Sequence, residues 1–279
     1  MMQISLAGWS LHRRFQNKEQ PLSLLDYFAV AREEFGIDKV ELNSPFFAYA
    51  DADNSAASPI KAKYLGELRR RAEDAGVRIV GIAVDGHGDL SDLDEPARRK
   101  AVGQHRKWYD ACQELACPAF RANSGGTRTA EIHSEHVDQC ARSFDQLAAW
   151  AADAGLQVLM ENHWGLSADP ERIVRVVEAV DNPAFGVLAD FRNFPPGVDV
   201  YAALERLAPY ARFVHAKFLS FDDRGEDPDF DTARVMETFR QARYSGLFGI
   251  EYEGKGDDHE GVLRSRELLD RYAYTLPED

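Results

Sequence analysis

The chain has 279 residues, of which 44% are hydrophobic, and a formal net charge of −14. A charge of this sign repels the phosphate backbone of nucleic acids, and the basic residues form no compensating stripe. No apolar run approaches the roughly 18 residues that a membrane span requires. We therefore expect a globular protein that binds neither nucleic acid nor a membrane.

The cysteines and the first residues bear on the compartment. Cys112, Cys117 and Cys140 include no Cys-x-x-Cys pair, and an odd number of thiols is typical of reducing compartments. The chain begins with a strand-like run and lacks the basic and apolar regions of an export signal. These features predict a cytoplasmic protein whose thiols are packing residues.

Strand-like and helix-like patterns alternate eight times along the chain. The predicted strands are Gln3–Ala7, Lys39–Leu42, Arg78–Val84, Pro118–Asn123, Leu156–Glu161, Phe185–Asp190, Arg212–Lys217 and Leu247–Tyr252. The predicted helices are Leu22–Phe35, 58–75, Pro96–Leu115, Ile132–Ala154, 169–180, Tyr201–Leu207, Asp231–Tyr244 and Gly261–Tyr274. Eight units of one kind favour a single α/β domain over residues 1–279, a (β/α)8 TIM barrel, rather than an open doubly wound sheet.

Strands five to eight carry a polar residue of metal-binding type at or near their C-terminal ends: Glu161, Asp190, His215 and Glu251. In an α/β barrel these ends meet at one mouth. Each residue alone could simply cap a turn, but three carboxylates crowded without a cation would repel one another. Three oxygen ligands and one imidazole suit Mn²⁺, Mg²⁺ or Co²⁺ better than Zn²⁺. The sequence thus predicts one divalent-metal site at this mouth.

Strand alternation adds two candidates for proton transfer, because residues two positions apart share a face. His163 is placed beside Glu161, where it either transfers a proton or only orients that glutamate. Lys217 is placed beside His215, where it either stabilises an enolate or forms an ion pair with the acidic ligands. Both interpretations of each residue remain open at this point.

Residues near the ends of several strands could line a sugar pocket, and six are predicted to do so: Trp9, Glu41, His87, Arg121, Asn123 and Asn193. The loop 123–128 (NSGGTR) could hold an anion through its backbone amides and Arg128, although a flexible loop is the alternative.

Four short motifs surround the predicted ligands: Glu161-Asn162-His163, Asp190-Phe191-Arg192-Asn193, His215-Ala216-Lys217 and Glu251-Tyr252-Glu253-Gly254. These motifs resemble those of the xylose-isomerase-like TIM barrels, the sugar phosphate isomerase and epimerase superfamily. The resemblance implies that Glu161, Asp190, His215 and Glu251 bind one ion, usually Mn²⁺, and that the two glutamates act as bases on opposite faces of the substrate. Several epimerases carry a substrate-contacting histidine where this chain has Asn193, so its substrate or reaction can differ from theirs.

The predicted reaction is removal of a proton beside a carbonyl of a ketose, keto-sugar or related polyol, through a metal-stabilised enediolate. Return of the proton gives an isomer or epimer. The alternative is a lyase that eliminates a β-substituent from a keto-sugar or keto-inositol, as resembling dehydratases and C-glycoside-cleaving proteins do. A homo-oligomer or a small companion subunit is compatible with either activity.

Two interpretations from other functional classes are weaker. A non-catalytic sugar-binding barrel would keep the pocket without turnover. An apurinic endonuclease would need a trinuclear metal site and a basic surface, and the sequence indicates neither.

Overall fold

The computed structural model describes residues 2–49, 58–126 and 131–275. Within these residues, eight parallel strands close into one barrel in which each strand pairs with the next and the last pairs with the first. The strands are β1 (Gln3–Ala7), β2 (Lys39–Asn43), β3 (Arg78–Val84), β4 (Ala119–Ala122), β5 (Gln157–Glu161), β6 (Phe185–Asp190), β7 (Ala211–Phe218) and β8 (Leu247–Tyr252). The predicted (β/α)8 TIM barrel is confirmed.

Helices connect the strands on the outside of the barrel. They are α1 (His12–Phe15), α2 (Leu24–Glu33), α3 (Ala62–Asp74), α4 (Glu95–Gln104), α5 (Arg106–Glu114), α6 (Ser134–Ala154), α7 (Pro170–Val180), α8 (Val200–Leu207), α9 (Thr232–Gln241) and α10 (Asp258–Arg271). Their ends follow local chemistry: the Asp169 carboxylate caps α7 by accepting from the Glu171 amide at 2.9 Å. Gly155 ends α6 at a φ of 69°, which favours glycine.

The observed helix bounds differ from the predicted ones, and three of the differences have a local cause. The helix predicted over Pro96–Leu115 is divided at His105, whose ring nitrogen Nδ1 hydrogen-bonds the Ala101 carbonyl at 2.8 Å and so competes with the helical ladder. Helix α3 begins after Ile60, because that residue pairs with Tyr49 in an isolated bridge. Helix α10 begins before Gly261, since the Asp257 side chain caps it by accepting from the Glu260 amide at 2.9 Å.

The barrel interior begins with a buried apolar layer at its lower end. This lower layer contains Val80, Ala119, Leu159, Leu188 and Phe213, one residue from each of β3 to β7. Because side chains alternate along a strand, the residue two positions after each of those on β4 to β7 faces the same interior, whereas an irregularity in the pairing of β2 with β3 interrupts the alternation there. The next layer of interior side chains therefore lies toward the C-terminal ends of the strands, above this apolar layer.

Two further expectations from the sequence concern membrane-spanning helices and anion binding by a loop. None of the described helices is long and apolar enough to cross a membrane. The anion-binding hypothesis for the loop 123–128 depends on Arg128, which lies outside the described residues.

Candidate metal centre and cavity

The structure brings the four predicted ligands together at the C-terminal ends of β5 to β8. Glu161, Asp190, His215 and Glu251 each offer one ligating atom, and these atoms all lie within 4.8 Å of one another. All four side chains are buried. Each of the first three follows a lower-layer residue by two positions: Leu159, Leu188 and Phe213 respectively. The charged cluster therefore lies directly on the apolar layer.

Backbone amides orient the Asp190 carboxylate. Its Oδ1 accepts hydrogen bonds from the amides of Arg192 at 2.7 Å and Asn193 at 2.8 Å. The side chain of Asn162, which directly follows β5, donates to the Asp190 carbonyl at 2.9 Å and accepts from the Asp190 amide at 2.8 Å. Oδ2 is left facing the cluster, 3.9 Å from Nδ1 of His215.

The two ring nitrogens of His215 face different carboxylates. Nδ1 points into the cluster, 3.3 Å from Glu161 Oε1 and 3.7 Å from Glu251 Oε2. Nε2 points to the opposite side of the barrel, 3.1 Å from Oε1 of Glu41 on β2. The sequence analysis placed Glu41 in the wall of the sugar pocket, and the structure corrects this: Glu41 is buried behind His215 and does not line the cavity.

Lys217 lies among the carboxylates on one side of the cluster. Its Nζ is 2.9 Å from Glu251 Oε2, 2.8 Å from Glu253 Oε2 and 3.4 Å from Asp190 Oδ2. Burial alone would lower its pKa, but these carboxylates outweigh burial and raise the pKa of Lys217 well above its usual value. Lys217 is therefore a charged ammonium rather than a nucleophilic amine.

Arg121 supplies the second cation, on the opposite side. Its Nε lies 3.0 Å from Glu161 Oε2, and its Nη1 donates to Asp85 Oδ1 at 2.7 Å. Burial would raise the pKa of Glu161, but Arg121 and the nearby histidines hold it well below its usual range. Burial would likewise raise the pKa of Glu251, but Lys217 and His215 lower it to about 2. Both glutamates are thus carboxylates at neutral pH.

The donor set fits a divalent cation. Within the described residues, Glu161 Oε2, Asp190 Oδ2 and Glu251 Oε2 are buried and accept no hydrogen bond of suitable geometry. Burial, together with the charges of Glu251 and Glu161, raises the pKa of Asp190 to about 8. Three carboxyl oxygens without a hydrogen-bond donor and one imidazole nitrogen around a common point match the ligands that Mn²⁺, Mg²⁺ and Co²⁺ take in proteins.

A cavity of about 380 Å³ opens above the cluster. Its lining residues are Trp9, Asn43, Pro45, Asp85, Arg121, Glu161, His163, Trp164, Asn193, Lys217, Glu251 and Glu253. Of the six predicted pocket residues, Trp9, Arg121 and Asn193 reach it. The Trp9 indole donates to Glu253 Oε1 at 2.5 Å, and Asn193 bridges the cluster by donating to Glu161 at 3.2 Å and accepting from Lys217 at 2.9 Å.

The remaining predicted pocket residues are not among those that line the cavity. Asn123 lies just behind its wall and donates to Asp85 Oδ1 at 2.7 Å. His87 is turned away, because its ring contacts the Asp85 carbonyl at 2.6 Å and accepts from the Trp108 indole at 2.9 Å. Sequence analysis missed Asp85, which directly follows β3 and carries the same signal, a carboxylate at a strand end, as the predicted ligands.

His163 lies at the edge of the cavity, as the alternation along β5 predicts. Its Nδ1 is 3.9 Å from Glu161 Oε2 and 3.4 Å from Asn123 Oδ1, and its ring packs on Trp164 with centroids 3.7 Å apart. Burial lowers the pKa of His163 to about 4, although Glu161 opposes the shift. At neutral pH His163 is therefore a neutral imidazole with one unprotonated ring nitrogen.

Comparison with known proteins identifies related sequences. The model of the xylose isomerase-like TIM barrel family matches residues 28–272. A short segment is 30% identical, over 71 residues, to the C-glycoside deglycosidase alpha subunit of Arthrobacter globiformis. That segment is 24% of this chain and spans only 19% of the length of that relative.

Solved structures resemble this chain over nearly its whole length. The 3-keto-D-glucoside 4-epimerase from E. coli has a TM-score of 0.71 at 17% identity, with 97% of this chain and 100% of that chain covered. An L-ribulose 3-epimerase has a TM-score of 0.76 at 15% identity, with coverages of 98% and 94%. A probable 3-DHS dehydratase from Bacillus anthracis has a TM-score of 0.69 at 16% identity, with coverages of 96% and 99%. At these identities the likeness shows the fold.

Proposed function

Because the chain belongs to the xylose isomerase-like TIM barrel family, we propose that it is a divalent-metal-dependent sugar isomerase or epimerase. Its substrate is a ketose, keto-sugar or related polyol that loses a proton from the carbon beside its carbonyl. Epimerases among proteins of the same fold support this choice of substrate class.

One observation carries the proposal: four buried ligand groups converge within 4.8 Å beneath a cavity of about 380 Å³. Such a convergence costs folding free energy unless the charges are compensated. Arg121 and Lys217 form ion pairs with Glu161 and Glu251, yet within the described residues one buried oxygen of each of Glu161, Asp190 and Glu251 still has no hydrogen-bond donor, which a bound cation would compensate. We assign Mn²⁺ as the resident cation, held by Glu161, Asp190, His215 and Glu251.

The bound cation supplies Lewis acidity, which stabilises negative charge as it develops on substrate oxygens. Glu161 and Glu251 are ionised at neutral pH and reach the cavity from β5 and β8, so each can take or return a proton on its own side of the substrate. Lys217 and Asn193 present polar groups to substrate hydroxyls, and the Lys217 ammonium offsets charge that forms near it. Trp9 and Trp164 provide apolar faces against which a sugar ring can pack.

His163 is assigned to proton transfer with a substrate oxygen. It lines the cavity beside Glu161 but is not one of the four clustered ligands. Its imidazole is neutral at neutral pH, so one ring nitrogen has a free lone pair that can take a proton from a substrate oxygen, and the amide of Asn193 cannot take that role. This arrangement distinguishes the chain from epimerases that resemble it and use a histidine at the position of Asn193.

A lyase activity is the second candidate, supported by the segment that is similar to a C-glycoside deglycosidase alpha subunit. The first step, removal of the proton beside the carbonyl, needs the same groups. The outcome then depends on whether a β-substituent leaves before the proton returns. A small companion subunit or a second copy of the chain is compatible with this activity. We also propose that the protein is located in the cytoplasm.

The test is solvent exchange with ketoses and 3-keto-glycosides in deuterated water. The Mn²⁺-loaded protein should incorporate deuterium beside the carbonyl, and exhaustive chelation should abolish incorporation until Mn²⁺ is returned. Epimer or isomer formation assigns the first activity, and loss of the β-substituent assigns the second. Exchange that survives chelation would contradict the metal-dependent mechanism.

A further inference from the structure

A buried polar contact joins β2 and β7, which are not neighbours in the barrel. Glu41 of β2 is only 2% exposed, and its two carboxylate oxygens lie 3.1 and 3.2 Å from Nε2 of His215 on β7. Within the described residues, the hydrogen bonds of this carboxylate are made to that ring alone. Because this carboxylate is buried and has a single partner, that partner must donate a hydrogen bond to it.

Glycines on the neighbouring strands leave the space that this contact needs. Gly81 pairs in register with Glu41, and a Cβ at Gly81 would lie 3.3 Å from Glu41 Oε2 and 3.4 Å from its Cγ. Gly249 pairs in register with His215, and a Cβ there would lie 3.4 Å from the ring and 2.9 Å from Phe213. Larger side chains at either position would push the carboxylate or the ring out of place.

We propose that Glu41 is a positioning residue that sets the tautomer and the direction of His215. An ionised carboxylate can only accept hydrogen bonds, so Nε2 must carry the proton. In the neutral form that a metal ligand requires, the lone pair of Nδ1 would then be directed at Glu161, Asp190 and Glu251, which is the orientation a ligand to the proposed cation needs. The inference rests on the proposed metal site.

Two other roles for Glu41 disagree with its position. It does not line the cavity, so it does not contact substrate there. It is also not one of the four residues whose ligand atoms converge. Its action on the site passes through the imidazole of His215.

The experiment compares the Mn²⁺ affinity of wild type, Glu41→Leu and Glu41→Gln, from the electron paramagnetic resonance signal of free Mn²⁺. Leucine removes the acceptor, so Glu41→Leu should bind Mn²⁺ about 10- to 100-fold more weakly, the usual scale for the loss of a partner behind a metal-binding histidine. Glutamine keeps an acceptor oxygen, and Glu41→Gln should retain affinity within about fivefold. The matched control is Asp258→Asn, which neutralises another buried carboxylate, one that pairs with Arg14 and is not part of the cavity lining, and it should leave affinity within about threefold.

A second readout uses the wild-type protein and does not depend on whether a variant folds. In the Mg²⁺-loaded protein, ¹H–¹⁵N spectra of the histidine side chains should show the His215 proton on Nε2, with the resonance assigned by its loss in His215→Gln. A proton on Nδ1, or equal Mn²⁺ affinity in wild type and Glu41→Leu, would overturn the role of Glu41. Mn²⁺ binding without deuterium exchange would instead contradict the proposed reaction, and the affinity comparison would still decide the role of Glu41.

Discussion

The lower and upper layers of the barrel interior lie on the same strands, two residues apart, and have opposite chemistry. The lower layer is apolar, with Leu159, Leu188 and Phe213 in mutual contact. The upper layer replaces them with Glu161, Asp190 and His215, and Glu251 of β8 completes it. Both layers are almost fully buried, so exposure to water does not explain the difference.

This difference separates the residues that stabilise the fold from those that are explained by the function of the site. Burial of a leucine side chain stabilises a fold by about 1.5 to 3 kcal/mol. Burial of a carboxylate is unfavourable unless cations or donors compensate it. The upper layer is therefore a poor source of stability, and its three carboxylates are explained by a ligand that they hold.

The largest effect is expected from the two glutamates of the upper layer. Glu161→Gln and Glu251→Gln each remove a base, which should lower the turnover of the exchange reaction by about 10² to 10⁴-fold. The barrel should remain folded, since the amide has nearly the same volume as the carboxylate. Deuterium incorporation and circular dichroism measure the two properties separately. Near-normal exchange in both variants would show that other groups carry the proton.

A substitution in the lower layer should have the opposite signature. Leu159→Ala opens a cavity under the cluster and should reduce the free energy of unfolding by about 2 to 5 kcal/mol, with Mn²⁺ affinity nearly unchanged. The control is Leu93→Ala, because Leu93 is 51% exposed and its truncation should change stability by less than about 0.5 kcal/mol. Urea unfolding of both variants measures the effect. If Leu159→Ala lowered the free energy of Mn²⁺ binding by as much as the free energy of unfolding, the distinction between the layers would be lost.

Two buried histidines outside the barrel interior sharpen the comparison, because within the described part of the chain their rings bond to backbone carbonyls and to the Trp108 indole rather than to carboxylates. Burial lowers the pKa of His87 to about 4 and that of His105 to about 3. The unfolded chain binds their protons below a pH of about 6.5, whereas the folded protein does not. Stability from these groups is therefore complete above pH 6.5 and falls as pH decreases toward the folded values, by about 2 kcal/mol for each histidine at pH 5.

The variant His87→Gln tests this pH dependence. Between pH 7.5 and pH 5, its free energy of unfolding should fall by about 2 kcal/mol less than that of wild type. The surface residue His133, whose side chain is 55% exposed, provides the control, and His133→Gln should keep the wild-type pH dependence. An unchanged pH dependence in His87→Gln would mean that His87 is not held neutral by burial.

The sequence was sufficient for features that depend on one strand at a time. The period of each strand placed a polar side chain at its C-terminal end, and parallel strands bring such ends to one mouth, so Glu161, Asp190, His215 and Glu251 could be named together. The other residues of the four motifs follow these ligands directly in the sequence and therefore lie at or next to the same strand ends.

Features that depend on closure of the barrel could not be derived in this way. The contact between Glu41 and His215 joins strands that are far apart in sequence, and its direction is set by the space beside Gly81 and Gly249. For the same reason the sequence did not show which way His87, a predicted pocket residue, would face: its ring accepts a hydrogen bond from the Trp108 indole of α5. Side-chain direction beyond a strand end depends on partners from other units.

Binding of Mn²⁺ to wild type and to Asp190→Asn is the most direct test of the upper layer as a metal centre. Asp190 is fully buried, its Oδ1 is held by two backbone amides and its Oδ2 faces the cluster. Asparagine can keep the amide contacts but offers a neutral, weaker ligand. Wild type should bind one Mn²⁺ per chain, and Asp190→Asn should bind it at least about tenfold more weakly. Wild type that binds no Mn²⁺, or a variant that binds it equally well, would contradict the assignment of this cluster as the metal centre.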